Sequence, residues 1–247
     1  MPVLKPYHRC VRPWPDGSYT SGGRSGYVRH PSYAKNPEYL IRAFMLLQED
    51  LQRLFEYVEP ADTNSSVYSY RCLELLIRAC GEAEANFRAV LEANGDMREK
   101  KTMVQYKKLE KTHRLSSYRV KLPYWTGTRG VRCPFECFAR NQSPEWFKAH
   151  HGAKHNRERE FSSANLDNAV DAVSSVLVLL SSQFATDDFG PGPVYLALSD
   201  GRRTDGFEPA IGGYFSVSFP DDWPDSDCYS FEWKDLEEER SPFQKLF

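Results

Sequence analysis

Four stretches of the chain repeat their apolar positions at three- and four-residue steps, the spacing that gathers side chains on one face of an α-helix. In the first, Leu40, Phe44, Leu47, Leu51 and Leu54 share a side, Asn36 stands at the cap position, Pro37 suits the first helical position, and Pro60 closes the segment. The second carries an apolar line through Tyr68, Cys72, Leu75, Ala79, Ala83, Phe87 and Val90 and stops at Gly95. The third opens at Ser143 or Pro144 and is expected to run unbroken to about Glu160. The fourth has a stripe of Leu166, Val170, Val173, Leu177, Leu180 and Phe184. Four such helices can bury one another as an antiparallel bundle.

The rest of the chain reads differently. Residues 1–36 are rich in Gly, Pro, Ser, Tyr and Arg without either periodicity, which predicts an irregular arm, and its aromatic residues predict that it packs on the body. Between 96 and 143 a charged segment predicts a short helix or turn near 103–111, and "YRVKL" alternates as an exposed strand would. Beyond 187, "VYLALSD", "GGYFSVSFP" and "CYSFEWKDL" are short aromatic runs separated by Gly, Pro and Asp, and they predict a small β element followed by a polar tail. The expected fold is therefore α+β and mainly α. It has an irregular N-terminal arm (1–36), an antiparallel four-helix-type bundle (37–186) and a small β-containing C-terminal extension packed on the bundle (187–247).

Composition narrows the functional classes. With 247 residues, 40% of them hydrophobic, the chain can build a core without cross-links. A formal net charge of −2 removes any whole-chain attraction to nucleic acid or an anionic membrane, so a polyanionic partner must be met by a local patch. Six scattered cysteines, Cys10, Cys72, Cys80, Cys133, Cys137 and Cys228, read as reduced thiols of a cytoplasmic protein. The N-terminus lacks an apolar core of a signal peptide and "VSSVLVLL" is too short to span a bilayer, so no membrane partner is expected. No Gly-rich phosphate loop, nucleophile elbow or dinucleotide fingerprint is present, and no cofactor is expected.

One patch stands out, "EWFKAHHGAKHNREREF" at 145–161. On an unbroken helix His151 and His155 stack, as do His150 and Lys154, with Arg157 a further turn along from His150. Such a set can do acid-base work through His155 while Lys154 and Arg157 hold a phosphate of RNA or of a small phosphorylated ligand. On the second helix Glu82 and Asn86 lie beside the apolar line, where burial demands partners. A network of Glu82, Asn86, Lys154, His155 and Arg157, supported by His150 and His151, would supply them as a buried polar seam between helices. A metal is not expected. The histidine pair lacks the Glu of a metalloprotease helix, and Cys133 and Cys137, which could join His150 or His151 around zinc, lack a second matched pair. The aromatic residues Trp14, Tyr19, Tyr27, Trp223 and Trp233 offer a different function, contact with a protein partner or a second copy in a homodimer.

These residues also carry a resemblance. Four segments, around 38–60, 69–95, 146–184 and 212–233, resemble a family of uncharacterised bacterial proteins of about this length. Its mark is an aromatic-led helix ending in Lys-His-x-Arg, here Lys154, His155, Asn156 and Arg157, then an Ala-x-Leu-x-Asn helix, here Ala164, Leu166 and Asn168. The resemblance implies a cytosolic bacterial or phage protein and brings no established activity. More distantly, a polar residue on one helix with a His/Arg cluster on another is similar to HEPN domains, many of which are metal-independent ribonucleases of defence systems. Those nucleases place an Arg a few residues before a His, whereas here Arg157 follows His155 and Arg140 lies too far ahead of His150. Only Arg24 and His30, in the arm, have that order and spacing. The expected function is a binding or interaction module with a His/Lys/Arg centre, and the alternative is a HEPN-like ribonuclease or RNA-binding protein.

Overall fold

Pro37 fixes the first turn of the first long helix in the computed structural model, which describes residues 2–190 and 205–247. The described residues form helices α1 (Pro37–Phe55), α2 (Tyr70–Ala93), α3 (Met103–Tyr106), α4 (Glu110–His113), α5 (Glu145–His155), α6 (Arg157–Glu160), α7 (Leu166–Phe184) and α8 (Trp233–Leu236). They also form strands β1 (Arg119–Lys121), β2 (Val131–Arg132), β3 (Glu208–Pro209) and β4 (Ser216–Ser218). The chain is α+β and mainly α.

Local chemistry sets the helix ends. Ser69 caps α2 by accepting from Cys72 N at 3.1 Å, and Asn165 caps α7 by accepting from Asn168 N at 3.0 Å. Asn36 occupies the cap position of α1 but makes no side-chain cap bond, and the start there rests on Pro37. At the far end of α2, Gly95 takes φ +101°, its N–H donates to Glu92 O, and Asp96 N donates to Leu91 O at 2.9 Å. That paired closure needs a left-handed residue and glycine supplies it without a side-chain clash.

The four long helices alternate in direction along the chain. Asp50 of α1 pairs with Arg78 of α2, and the end of α1 around Leu54 and Tyr57 shares a cleft with Ser69 and Arg71 at the start of α2, so those two run antiparallel. By contrast α2 and α7 run parallel. Tyr68 bridges Asn165 just before both helices and Asn86 bonds Gln183 near their far ends, two pairs each 97 positions apart. The 18-residue span between these tie points is about 27 Å of helix in each. α7 is the centre of the core, with nearly every side chain from Leu166 to Phe184 buried, and its closest neighbour is α2.

The sheet differs from the sequence expectation in origin. Its order is β2-β1-β4-β3, all antiparallel, so two strands come from the middle of the chain and two from the C-terminal segment. β1 is internal rather than exposed, with buried Val120 opposite Val217. Of the three C-terminal runs, "GGYFSVSFP" contains β4, "CYSFEWKDL" contains a single bridge to Val3 and then α8, and "VYLALSD" lies outside the described residues.

The arm enters the core instead of lying on it. Val3 bridges Tyr229 and Tyr7 bridges Gln244, and Ser21–Arg29 forms a 3-10 helix. Tyr27 meets Tyr33, Tyr229 and Phe231 edge-on within 5.9 Å. Trp14, Tyr19, Tyr27 and Trp223 are buried and Trp233 is half-buried against Phe243, so these five aromatics pack the interior and do not form the exposed contact face that their composition suggested. Arg24 is held by Asp16, while His30 accepts from Ser32 N and lies edge-on to Trp233, so both are engaged in packing the arm.

A buried polar chain ties arm to helices. Arg9, at φ +52°, donates from Nη1 to Gln183 Oε1 (2.8 Å) and from Nη2 to Lys35 O (2.9 Å). Gln183 Nε2 in turn donates to Asn86 Oδ1 (2.9 Å) and Leu179 O (2.8 Å), and Asn86 Nδ2 donates to Glu82 O (2.9 Å). Arg9 is 4% exposed and the two carboxamides 0%. Burial pulls the Arg9 pKa down to about 10, which still leaves it charged at neutral pH. Gln183→Leu would strand both a buried guanidinium and the Asn86 oxygen. We expect urea denaturation to show a loss of about 2–4 kcal/mol, and Asn86→Leu added to it to cost less than the sum of the single changes.

Candidate functional site

The side chains of α5 divide cleanly. Trp146, Ala149 and Ala153 form its buried stripe, with Trp146 Nε1 donating to Pro134 O at 3.0 Å and its ring edge-on to Phe135. His151 and His155 consequently point away from the core, with rings 4.6 Å apart, and Lys154 is exposed beside them. His150 is half-buried near Phe147 with Nδ1 unbonded. Burial first, then the charge of Lys154, lowers its pKa and keeps it neutral.

The expected continuous helix breaks at Asn156 (φ −141°, ψ 57°). Asn156 N ends α5 on Gly152 O, and Asn156 O accepts from Arg159 N and Glu160 N to start α6. α6 folds back against Gly152, where an added Cβ would stand 3.3 Å from Cγ of the exposed Glu160 side chain. Arg157 is therefore not a turn further along the His150 face but on a separate helix, one turn before Phe161.

The buried seam expected from the sequence is absent. Asn86 is satisfied by Gln183, Glu82 is half-buried with its pKa raised by burial, and Lys154, His155 and Arg157 are all exposed. Among the described residues Lys154, Arg157 and Arg159 have no carboxylate at ion-pair distance, whereas nearby Lys148 pairs with Glu145 and Arg71 with Glu74. Cys133 and Cys137 are partly exposed thiols whose pKa values burial raises. No three His, Cys, Asp or Glu side chains among the described residues converge to hold a metal ion.

Beyond α6 the surface turns aromatic. Phe161 lies 5.3 Å from the ring of Tyr68 and 4.8 Å from that of Tyr70, and these tyrosines are 51% and 61% exposed. The apolar line of α2 had assigned Tyr68 to the core. It instead precedes the helix in extended backbone, bridging Asn165, while Leu166 N donates to Val67 O at 2.8 Å. Neither tyrosine nor Phe161 is distinguishable in sequence from core aromatics, because the pairing that exposes them joins residues far apart in the chain.

Two further clusters were invisible to sequence reasoning for the same reason. Cys10 of the arm meets His113 of α4. Burial alone would push this thiol up, but the adjacent imidazole and the Arg12 guanidinium bring its pKa down to about 7, and the His113 pKa rises in return. His113 Nε2 lies 3.0 Å from Arg9 O and Nδ1 lies 2.8 Å from Thr112 Oγ1. Both residues are sealed from solvent, so this centre is part of the core.

The second cluster sits at the start of α7. Buried Arg132 stacks on Trp125 at 4.4 Å and donates from Nη1 to Asp167 (2.6 Å) and Asp171 (3.3 Å), while Arg129 also holds Asp167. Burial, opposed by Arg132 and reinforced by Asp167, raises the Asp171 pKa to about 6. A carboxyl whose pKa is higher in the fold than in the unfolded chain binds more protons when folded, so its contribution to stability falls as pH rises from about 4 through 6. Asp171→Asn should therefore exceed the native protein in stability by about 1–2 kcal/mol at pH 8, and the gap should close toward pH 4 in paired denaturation curves. No helix among the described residues is long and apolar enough to cross a membrane. Comparison with protein-family models, with curated proteins and with solved structures returned no match to this chain.

Proposed function

We propose that this chain is a cytosolic binding module, of bacterial or phage type, whose α5–α6 face holds the phosphates of RNA. The observation that carries the reading is a set of exposed cations, Lys154, Arg157 and Arg159, left without carboxylate partners among the described residues in a chain whose net charge is negative. Cations in this state neutralise phosphate without first breaking an ion pair. His155, next to Lys154 in the chain and likewise exposed, adds a ring N–H donor. The His151–His155 ring contact favours RNA cleavage as a second reading, since two adjacent imidazoles offer both an acid and a base.

Fluorescence anisotropy with a labelled single-stranded RNA tests the first reading. With about three phosphates neutralised, affinity should fall about ten- to twentyfold between 50 and 200 mM salt. Arg157→Gln should weaken binding severalfold and flatten the salt dependence, with the melting temperature unchanged because the side chain is exposed. Equal affinity of the native protein and a Lys154→Gln/Arg157→Gln double variant would exclude this face. Cleavage in chelator-containing buffer that His155→Ala abolishes would move the assignment to the second reading.

A further inference from the structure

We infer that Tyr68, Tyr70 and Phe161 form a stacking seat for an unpaired base of single-stranded RNA, an inference that rests on the phosphate-binding reading of α5–α6 and specifies its ligand. Exposed aromatic side chains are common singly, but here two half-exposed tyrosine rings flank one phenylalanine within 5.3 Å. The backbone that carries the group is tied down. Tyr68 is fixed by the bridge to Asn165, Tyr70 is the first residue of α2 behind the Ser69 cap, and Phe161 directly follows α6.

Charge complementarity selects the occupant. Arg157 and Arg159 precede Phe161 by four and two positions, and neither has a carboxylate partner among the described residues. Tyr68 and Tyr70, inclined at 83° and 42° to Phe161, offer separate ring faces a few residues along the chain from guanidinium groups without ion-pair partners, which fits a ligand that alternates aromatic rings with phosphates, a single-stranded nucleic acid. In a duplex the base faces are already stacked on their neighbours, so only the phosphate contacts of the basic face would remain available.

The test uses the full chain with three probes of equal charge: a single-stranded oligouridylate, an RNA duplex and an abasic oligonucleotide. The expected order is tightest binding to the single strand, with Tyr70→Leu weakening it about five- to a hundredfold while leaving the abasic probe unaffected. Leucine retains apolar contact with Phe161, and Tyr70 is 61% exposed, so folding is preserved and circular dichroism checks it. A Tyr70 ultraviolet crosslink to the oligouridylate gives a readout in the unmutated protein. Equal binding of all three probes, with no effect of Tyr70→Leu and no crosslink, would overturn the stacking seat and leave phosphate binding standing. Failure to bind any of the three at low salt would overturn the phosphate reading, and the seat with it.

Discussion

The carboxamide of Gln183 is the point on which the arrangement of this protein depends. It accepts from Arg9, which carries a charge into the interior from a segment far away in the chain, and it donates to Asn86 on the helix alongside. Each of these groups would be costly to bury alone, and each is satisfied only if arm, α2 and α7 are all in place. The parallel register of α2 and α7 follows from this bond at one end and the Tyr68–Asn165 bridge at the other. A slip of one turn would unpair both. Apolar packing between Leu, Val and Ala side chains tolerates such slips far better, so the polar bond supplies the specificity that the hydrophobic stripe lacks.

That register also decides what the surface presents. Because α2 and α7 start side by side, the segments leading into them emerge at one end, where they bring Tyr68, Tyr70 and Phe161 together. The break at Asn156 then starts α6, on which Arg157 and Arg159 precede Phe161 by four and two positions. The opposite end is closed by the arm and the C-terminal segment, whose aromatic residues pack on one another around Tyr27 and Tyr229. One end is thus a sealed aromatic core and the other an open aromatic and basic surface.

The buried charges have distinct accommodations. Arg9 rests on neutral acceptors, Arg12 lies between the rings of Tyr7 and Trp223 at 4.8 and 4.9 Å, and Arg132 combines a ring with two carboxylates. Three arginines can be enclosed in a chain of this size because a guanidinium is weakly hydrated and flat, and so accepts stacking on one face while its edge makes hydrogen bonds. Lysine could fill none of these places equally well.

By itself the sequence determined the four main helical segments, though not the break at Asn156, and the mainly α class, because helical periodicity is a local property that three or four residues already express. It also located the basic cluster between 145 and 161, but the buried seam and unbroken helix expected there gave way to exposed His151, His155 and Lys154 on α5 and to Arg157 and Arg159 on a separate α6. Tertiary structure alone decided the rest. Whether Tyr68 is core or surface depends on Asn165, whether Asn86 needs Lys154 depends on Gln183, and whether the thiol of Cys10 ionises depends on His113. In each case the partner lies about a hundred residues away, and no periodicity connects positions so distant. Contacts of that range are fixed by the cost of leaving a buried polar group unpaired, a quantity that exists only once the chain has folded.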